Sequence, residues 1–128
     1  MRAGVRVFGC EPERADDAYH SLRTGALQKM ESSDTIADGL RASLAPRTFA
    51  ILRKHVAGVL LVSEEDIVAT TKLVAQRMKI VIEPSSAVAL APLLRAGRLD
   101  GMGLGKRADG GAAKIGLIFS GGNVELGG

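Results

Sequence analysis

The feature that most constrains this chain is the repeated pairing of a short apolar run with a helical stripe. Val59, Leu60, Leu61 and Val62 are apolar without interruption and lead directly into Ser63-Glu64-Glu65-Asp66, the spacing of an N-cap followed by an acidic third residue. The helix predicted there turns Ile67, Thr71, Val74 and Met78 inward. The same pairing occurs earlier. Residues 5–10 form a short strand closed by Pro12, with Glu11 at its carboxyl end, and Ala15, Ala18, Tyr19 and Leu22 then recur at helical spacing up to Gly25, a C-terminal stop. Strands that are apolar throughout, rather than alternating, are buried on both faces, so the expected class is α/β with a parallel sheet flanked by helices.

The rest of the chain fits one domain over residues 1–128. Residues 34–44 are polar, contain Gly39 and read as a loop or short helix, whereas Pro46 opens a helix carrying Phe49, Leu52 and Val56 inward. After Glu83, Pro84 begins a helix expected to end near Gly97, and residues 87–94 are apolar almost all round, as in a buried helix. Eleven of the 16 glycines lie from Gly97 onward, so residues 97–113 read as a flexible surface loop. Residues 115–119 are expected to form a last strand, stopped by Ser120-Gly121-Gly122-Asn123.

Several function classes find no support. The net charge is +3, the basic residues are scattered and aromatics make up 3%, so no nucleic-acid surface is indicated. No apolar run approaches the roughly 20 residues of a membrane span. The N-terminus does not read as a secretory signal, and the single Cys10 allows no internal disulfide; together these point to a cytoplasmic protein. The run from Gly101 to Lys106 has the wrong spacing for a phosphate loop, because Asp100 stands where glycine is needed and Arg107 where Ser or Thr is needed. His20 and His55 have no partners at zinc-ligand spacing.

Four stretches in order resemble the serine racemase and threonine dehydratase family of fold-type II pyridoxal-phosphate (PLP) enzymes. They are Gly9-Cys10-Glu11-Pro12 with Ala15-Asp16-Asp17-Ala18-Tyr19, then Thr35-Ile36-Ala37-Asp38-Gly39-Leu40, then Met78 through Glu83-Pro84-Ser85, and Ser120-Gly121-Gly122-Asn123-Val124. The resemblance implies part of the large PLP-binding domain of a tryptophan synthase β-like fold. It further implies that Ser120 hydrogen-bonds the PLP ring nitrogen and that Gly39 lies against the cofactor. Glu11, Asp17 and the Ala15 carbonyl match positions that supply a divalent cation in serine racemases; hard oxygen ligands suit Mg²⁺, Ca²⁺ or Mn²⁺. Lys79 and Asn123 match positions contacting a nucleotide effector, ATP.

Each of these residues also has a plainer account. Asp16 and Asp17 at a helix start oppose the helix dipole without any metal. Ser120 can serve its own turn, Gly39 can be a turn glycine, and Lys79 can be a solvated helix end. Glu83, between an apolar run and a proline, is expected to be partly buried. Ser86 and Ala45 stand where the family usually has glycine.

None of the six lysines, Lys29, Lys54, Lys72, Lys79, Lys106 and Lys114, has the sequence context of the family's Schiff-base lysine, which is expected upstream with the phosphate-gripping loop. The expected function is therefore a PLP-dependent dehydratase (ammonia-lyase) or racemase acting on serine, threonine or hydroxyaspartate, represented by its C-terminal portion and inactive in isolation. Its expected partners are a small amino-acid substrate and either a second copy or the missing N-terminal half. The alternatives are a non-catalytic metal- or nucleotide-binding domain and a plain assembly domain.

Overall fold

The computed structural model describes residues 4–95, 100, 105 and 110–124. Two parallel strands, β1 (Phe8–Pro12) and β2 (Gly58–Val62), pair in register from Phe8 opposite Gly58 to Pro12 opposite Val62. The ladder runs one bond further at each end, through the Ala57 N–H to the Val7 carbonyl and the Glu13 N–H to the Val62 carbonyl, both 2.8 Å. Pro12, which has no N–H to give, sits at the strand's last position. The first strand thus lies two to three residues later than its apolar run indicates: register is set by pairing with β2, and Val5 and Val7 are exposed.

Between the strands come α1 (Asp17–Thr24), a 3-10 turn at Asp38–Leu40 and α2 (Pro46–His55). Gly25 ends α1 in the left-handed conformation, φ 74°, and its N–H reaches the Ser21 carbonyl at 2.9 Å. Pro46 does open α2, but none of that helix is fully buried; Phe49, Leu52 and Val56 are half-buried. After β2, α3 (Glu64–Met78) starts at Ser63, whose hydroxyl accepts from the Asp66 N–H at 3.2 Å as the spacing predicts.

Ile67 and Val74 face the core as expected, with Thr70 rather than Thr71 beside them, and Met78 is 53% exposed. Thr71 instead turns its hydroxyl back to the Ile67 carbonyl at 2.8 Å. The single helix expected from Pro84 is two short ones, α4 (Pro84–Ala87) and α5 (Ala91–Leu94). Pro92 explains the interruption, since a continuous helix would set its ring against the Val88 carbonyl. Both pieces are inward-facing, with Ser86, Ala87, Ala91 and Pro92 buried.

One core joins these elements: Val62 of β2, Ile67 and Val74 of α3, Ala37, Ile82, Ala87, Val88 and Ala91, with Cys10, Leu40, Leu90 and Phe119 packed against it. A fully buried side chain such as Ile67 contributes about 1.5–3 kcal/mol. The strand expected at residues 115–119 is not formed. No described neighbour pairs with it, and Ile115, Leu117 and Ile118 are exposed, Ile118 at 82%. Apolar sequence alone does not make a strand without a partner ladder. The loop expected at residues 97–113 lies mostly outside the described residues, as do Gly97 and most of the glycine run from Gly101. No helix among the described residues is long and apolar enough to cross a membrane.

Candidate cofactor and metal sites

Among the described residues Phe119 is the last apolar side chain of the sequence to pack on the core, and the chain leaves it as an exposed turn at Ser120. Three contacts hold that turn to the segment entering α4. The Ser86 hydroxyl donates to the Ser120 carbonyl. The Glu83 N–H donates to the Gly121 carbonyl at 3.4 Å, and the Asn123 N–H donates to Glu83 Oε2 at 3.3 Å. Gly121 has φ 91°, and a Cβ there would overlap the Glu83 carboxylate, so both conformation and space demand glycine. The Ser120 side-chain hydroxyl has no protein partner among the described residues.

Gly39 comes to the same segment from the other side. Its N–H donates to Ser85 Oγ at 3.0 Å and to Asp38 Oδ1 at 2.8 Å. A Cβ at Gly39 would meet Ser85 Oγ at 2.9 Å and Glu83 Oε1 at 3.6 Å. The constraint on this glycine is therefore visible within the chain itself. Gly39 and Ser120, far apart in sequence, are both tied to residues 83–86. Ser85 and Ser86 are the residues sequence reasoning did not single out as tethers; two hydroxyls directly after Glu83-Pro84 were the only signal.

Glu11, Ala15 and Asp17 gather at the start of α1. Asp16, the N-cap, makes no side-chain cap bond. Glu11 does that work from the end of β1, with Oε1 accepting from the Ala18 N–H at 3.2 Å and Oε2 from the Tyr19 N–H at 2.8 Å. Asp17 is 3% exposed, and its Oδ2 accepts from the Leu44 N–H at 2.6 Å. Burial raises the Glu11 pKa from 4.5 to about 7, helped by the negative charges of Asp17 and Asp16 and opposed by the Tyr19 and Ala18 N–H groups. Asp16 pairs instead with exposed His20, Nε2 to Oδ2 at 2.9 Å. The buried Ala15 is fixed by its N–H to the Pro12 carbonyl at 3.0 Å. No group of three or more His, Cys, Asp or Glu side chains gathers among the described residues. A cation held here would draw on two carboxylates and the backbone.

Lys79 is the exposed C-cap of α3 in a left-handed conformation, φ 59°. Asn123 is exposed, anchored through its backbone to Glu83. Among the described residues no hydrogen bond or ion pair joins the two, although the stretch after Lys79 approaches the glycine turn where a Cβ on Gly122 would lie 3.5 Å from the Val81 carbonyl.

The parallel α/β framework presents at its glycine turn a hydroxyl with no partner among the described residues, and the comparison with known proteins names the class. The family profile described as pyridoxal-phosphate dependent enzyme matches residues 1–114, and the chain belongs to that family. Its fold is that of the fold-type II members. The chain is 42% identical to a serine racemase of Dictyostelium discoideum over 98% of its length, covering 37% of that protein. It is 37% identical to an L-threo-3-hydroxyaspartate ammonia-lyase of Saccharomyces cerevisiae, again over 98%, covering 36%. The solved structure of maize serine racemase superimposes with a TM-score of 0.86 at 36% identity, over 98% of this chain and 37% of that one. The chain therefore spans a little over a third of the length of the relatives it matches.

Proposed function

We propose that this chain is part of a PLP-dependent amino-acid ammonia-lyase or racemase acting on serine, threonine or hydroxyaspartate. The observation that carries the reading is the Ser120 turn: an exposed residue whose hydroxyl has no partner among the described residues and whose carbonyl is held by Ser86, with Gly39 tethered alongside by Ser85. When bound, PLP supplies the electron sink for charge left at the substrate α-carbon. Ser120 orients the ring by a hydrogen bond to its nitrogen. A neutral hydroxyl leaves the ring less fully protonated than a carboxylate would, which moderates the sink and suits loss of a β-hydroxyl group. Gly39 keeps the adjoining wall free of a side chain. Serine and hydroxyaspartate, named by the relatives, both carry that β-hydroxyl.

The same reading gives Glu11, Asp17 and the Ala15 carbonyl to Mg²⁺, Ca²⁺ or Mn²⁺. Support comes from the donor set, all hard oxygen, and from a Glu11 proton that burial and Asp17 retain to about pH 7, where a cation would replace it. Lys79 and Asn123 contact an ATP effector in this reading, and the working enzyme is a cytoplasmic homodimer. A second reading, an assembly domain, draws on the exposed Ile115, Leu117 and Ile118, an apolar surface suited to another polypeptide.

The test is a PLP absorbance titration of the chain, alone and mixed with a lysine-bearing N-terminal half from a related enzyme. A bound-cofactor band and serine deamination that appear only in the mixture, and are lost in Ser120→Asp, bear the reading out. A mixture shown to assemble that gives neither band nor deamination leaves the assembly reading in its place.

A further inference from the structure

We infer that Ser86, together with Ser85, is a positioning residue: two consecutive hydroxyls in the first turn of α4 fix the Ser120 turn and the Gly39 turn relative to each other. The inference rests on the cofactor reading above for its purpose, but not for its geometry.

Consider what each bond constrains. The Ser86 hydroxyl takes the Ser120 carbonyl, so it fixes the peptide plane between Ser120 and Gly121. The Glu83 N–H takes the Gly121 carbonyl at 3.4 Å and so fixes the next plane. With two successive planes held and Gly121 at φ 91°, the backbone after Ser120 has little rotational freedom. The direction in which Ser120 presents its own hydroxyl is then set by α4. Ser86 is 4% exposed, so its hydroxyl cannot turn to water in place of the carbonyl. Ser85 does the matching work on the other turn through the Gly39 N–H at 3.0 Å.

Ser86 has a further anchor that makes it a rigid post rather than a mobile contact. Its own N–H donates to the Glu83 carbonyl at 3.0 Å, so the residue that clasps the Ser120 turn by its backbone also fixes the hydroxyl that clasps it by side chain. Losing the hydroxyl should release the turn while leaving the core beneath α3 intact.

The experiment is amide hydrogen exchange on the chain, comparing wild type with Ser86→Ala and Ser86→Thr, followed by the same measurement with added PLP. In Ser86→Ala, exchange at the Glu83 and Asn123 amides should quicken roughly tenfold or more, while Val74 and neighbouring amides of α3 keep their rates. Ser86→Thr, which retains the donor, should stay near wild type. Equal exchange at Glu83 and Asn123 in wild type and Ser86→Ala overturns the inference, as does a threonine variant that behaves like alanine. Should Ser86→Ala fail to fold, Ser86→Cys, of similar volume and with a much weaker donor, takes its place under the same two criteria.

Adding PLP separates this inference from the reading it serves. Slowed exchange at residues 120–123 in wild type, less slowing in Ser86→Ala and none in Ser120→Ala support both. If PLP changes nothing in wild type within an assembled mixture, the cofactor reading fails, and the accelerated exchange in Ser86→Ala alone still upholds the tether.

Discussion

The carboxylate of Glu83 occupies the space that a side chain on Gly121 would fill. One residue therefore grips the glycine turn twice, by its backbone N–H on the Gly121 carbonyl and by Oε2 on the Asn123 N–H. Gly121→Ala should cost about 2 kcal/mol, because a left-handed φ is unfavourable for alanine and the Cβ displaces a hydrogen-bonded carboxylate. Chemical denaturation of the two proteins checks this. Equal midpoints would mean that the turn accommodates a side chain and is not held by Glu83.

Glu11 predicts an unusual pH dependence. Its folded-state pKa, about 7, lies above the ordinary 4.5, so over that interval the folded chain holds a proton that the unfolded chain releases. The contribution is fully present below about pH 4.5 and is lost as pH rises through about 7. Metal-free protein should therefore lose stability from Glu11 across this window as pH rises. Glu11→Gln should flatten that part of the profile, while giving up one of the two cap bonds to α1. Denaturation midpoints from pH 4 to pH 8 are the measurement, and parallel profiles for the two proteins would refute it.

Asp17 has a structural duty that is independent of any ion. Its carboxylate, 3% exposed, is the acceptor for the half-buried Leu44 N–H at 2.6 Å. Asp17→Ala should destabilise the metal-free chain by roughly 1–3 kcal/mol through the orphaned donor. It should also quicken exchange at the Leu44 amide. Asp16→Ala, which removes an exposed pair with His20 and a negative charge that disfavours ionised Glu11, should cost under about 1 kcal/mol.

Much of this fold was legible because local signals agreed with one another. Ser63 capping α3, Gly25 closing α1, Pro46 opening α2 and the apolar run of β2 all stand where pattern placed them, since each depends on chemistry within a few residues. The departures share a cause in distant partners. β1 begins at Phe8 rather than Val5 because β2 sets its register, and residues 115–119 lack a described strand to pair with. Pro92 broke a helix that apolar content had favoured, although its effect was readable from the proline itself. In the candidate sites, Ser120, Gly39, Glu11 and Asp17 came from resemblance. The tethers Ser85 and Ser86 could not, because their partners lie 46 and 34 residues away in sequence.

The metal proposal and the dipole account of the acidic residues at α1 part company over protons. If Mg²⁺ binds Glu11 and Asp17, it must displace the proton that Glu11 retains to about pH 7, so affinity should rise with pH through that value and binding should release protons. At a concentration about 100 times its Kd, Mg²⁺ would add about 2.7 kcal/mol to stability, as would any ligand specific for the folded state. Glu11→Gln should abolish most of that gain. If the carboxylates serve only α1 and the Leu44 N–H, Mg²⁺ will leave the midpoint unchanged at pH 6 and pH 8 alike, because carboxylates engaged only by backbone N–H groups give no saturable, pH-linked gain with Mg²⁺. Isothermal titration in two buffers of different ionisation enthalpy, alongside denaturation with and without Mg²⁺, distinguishes the two.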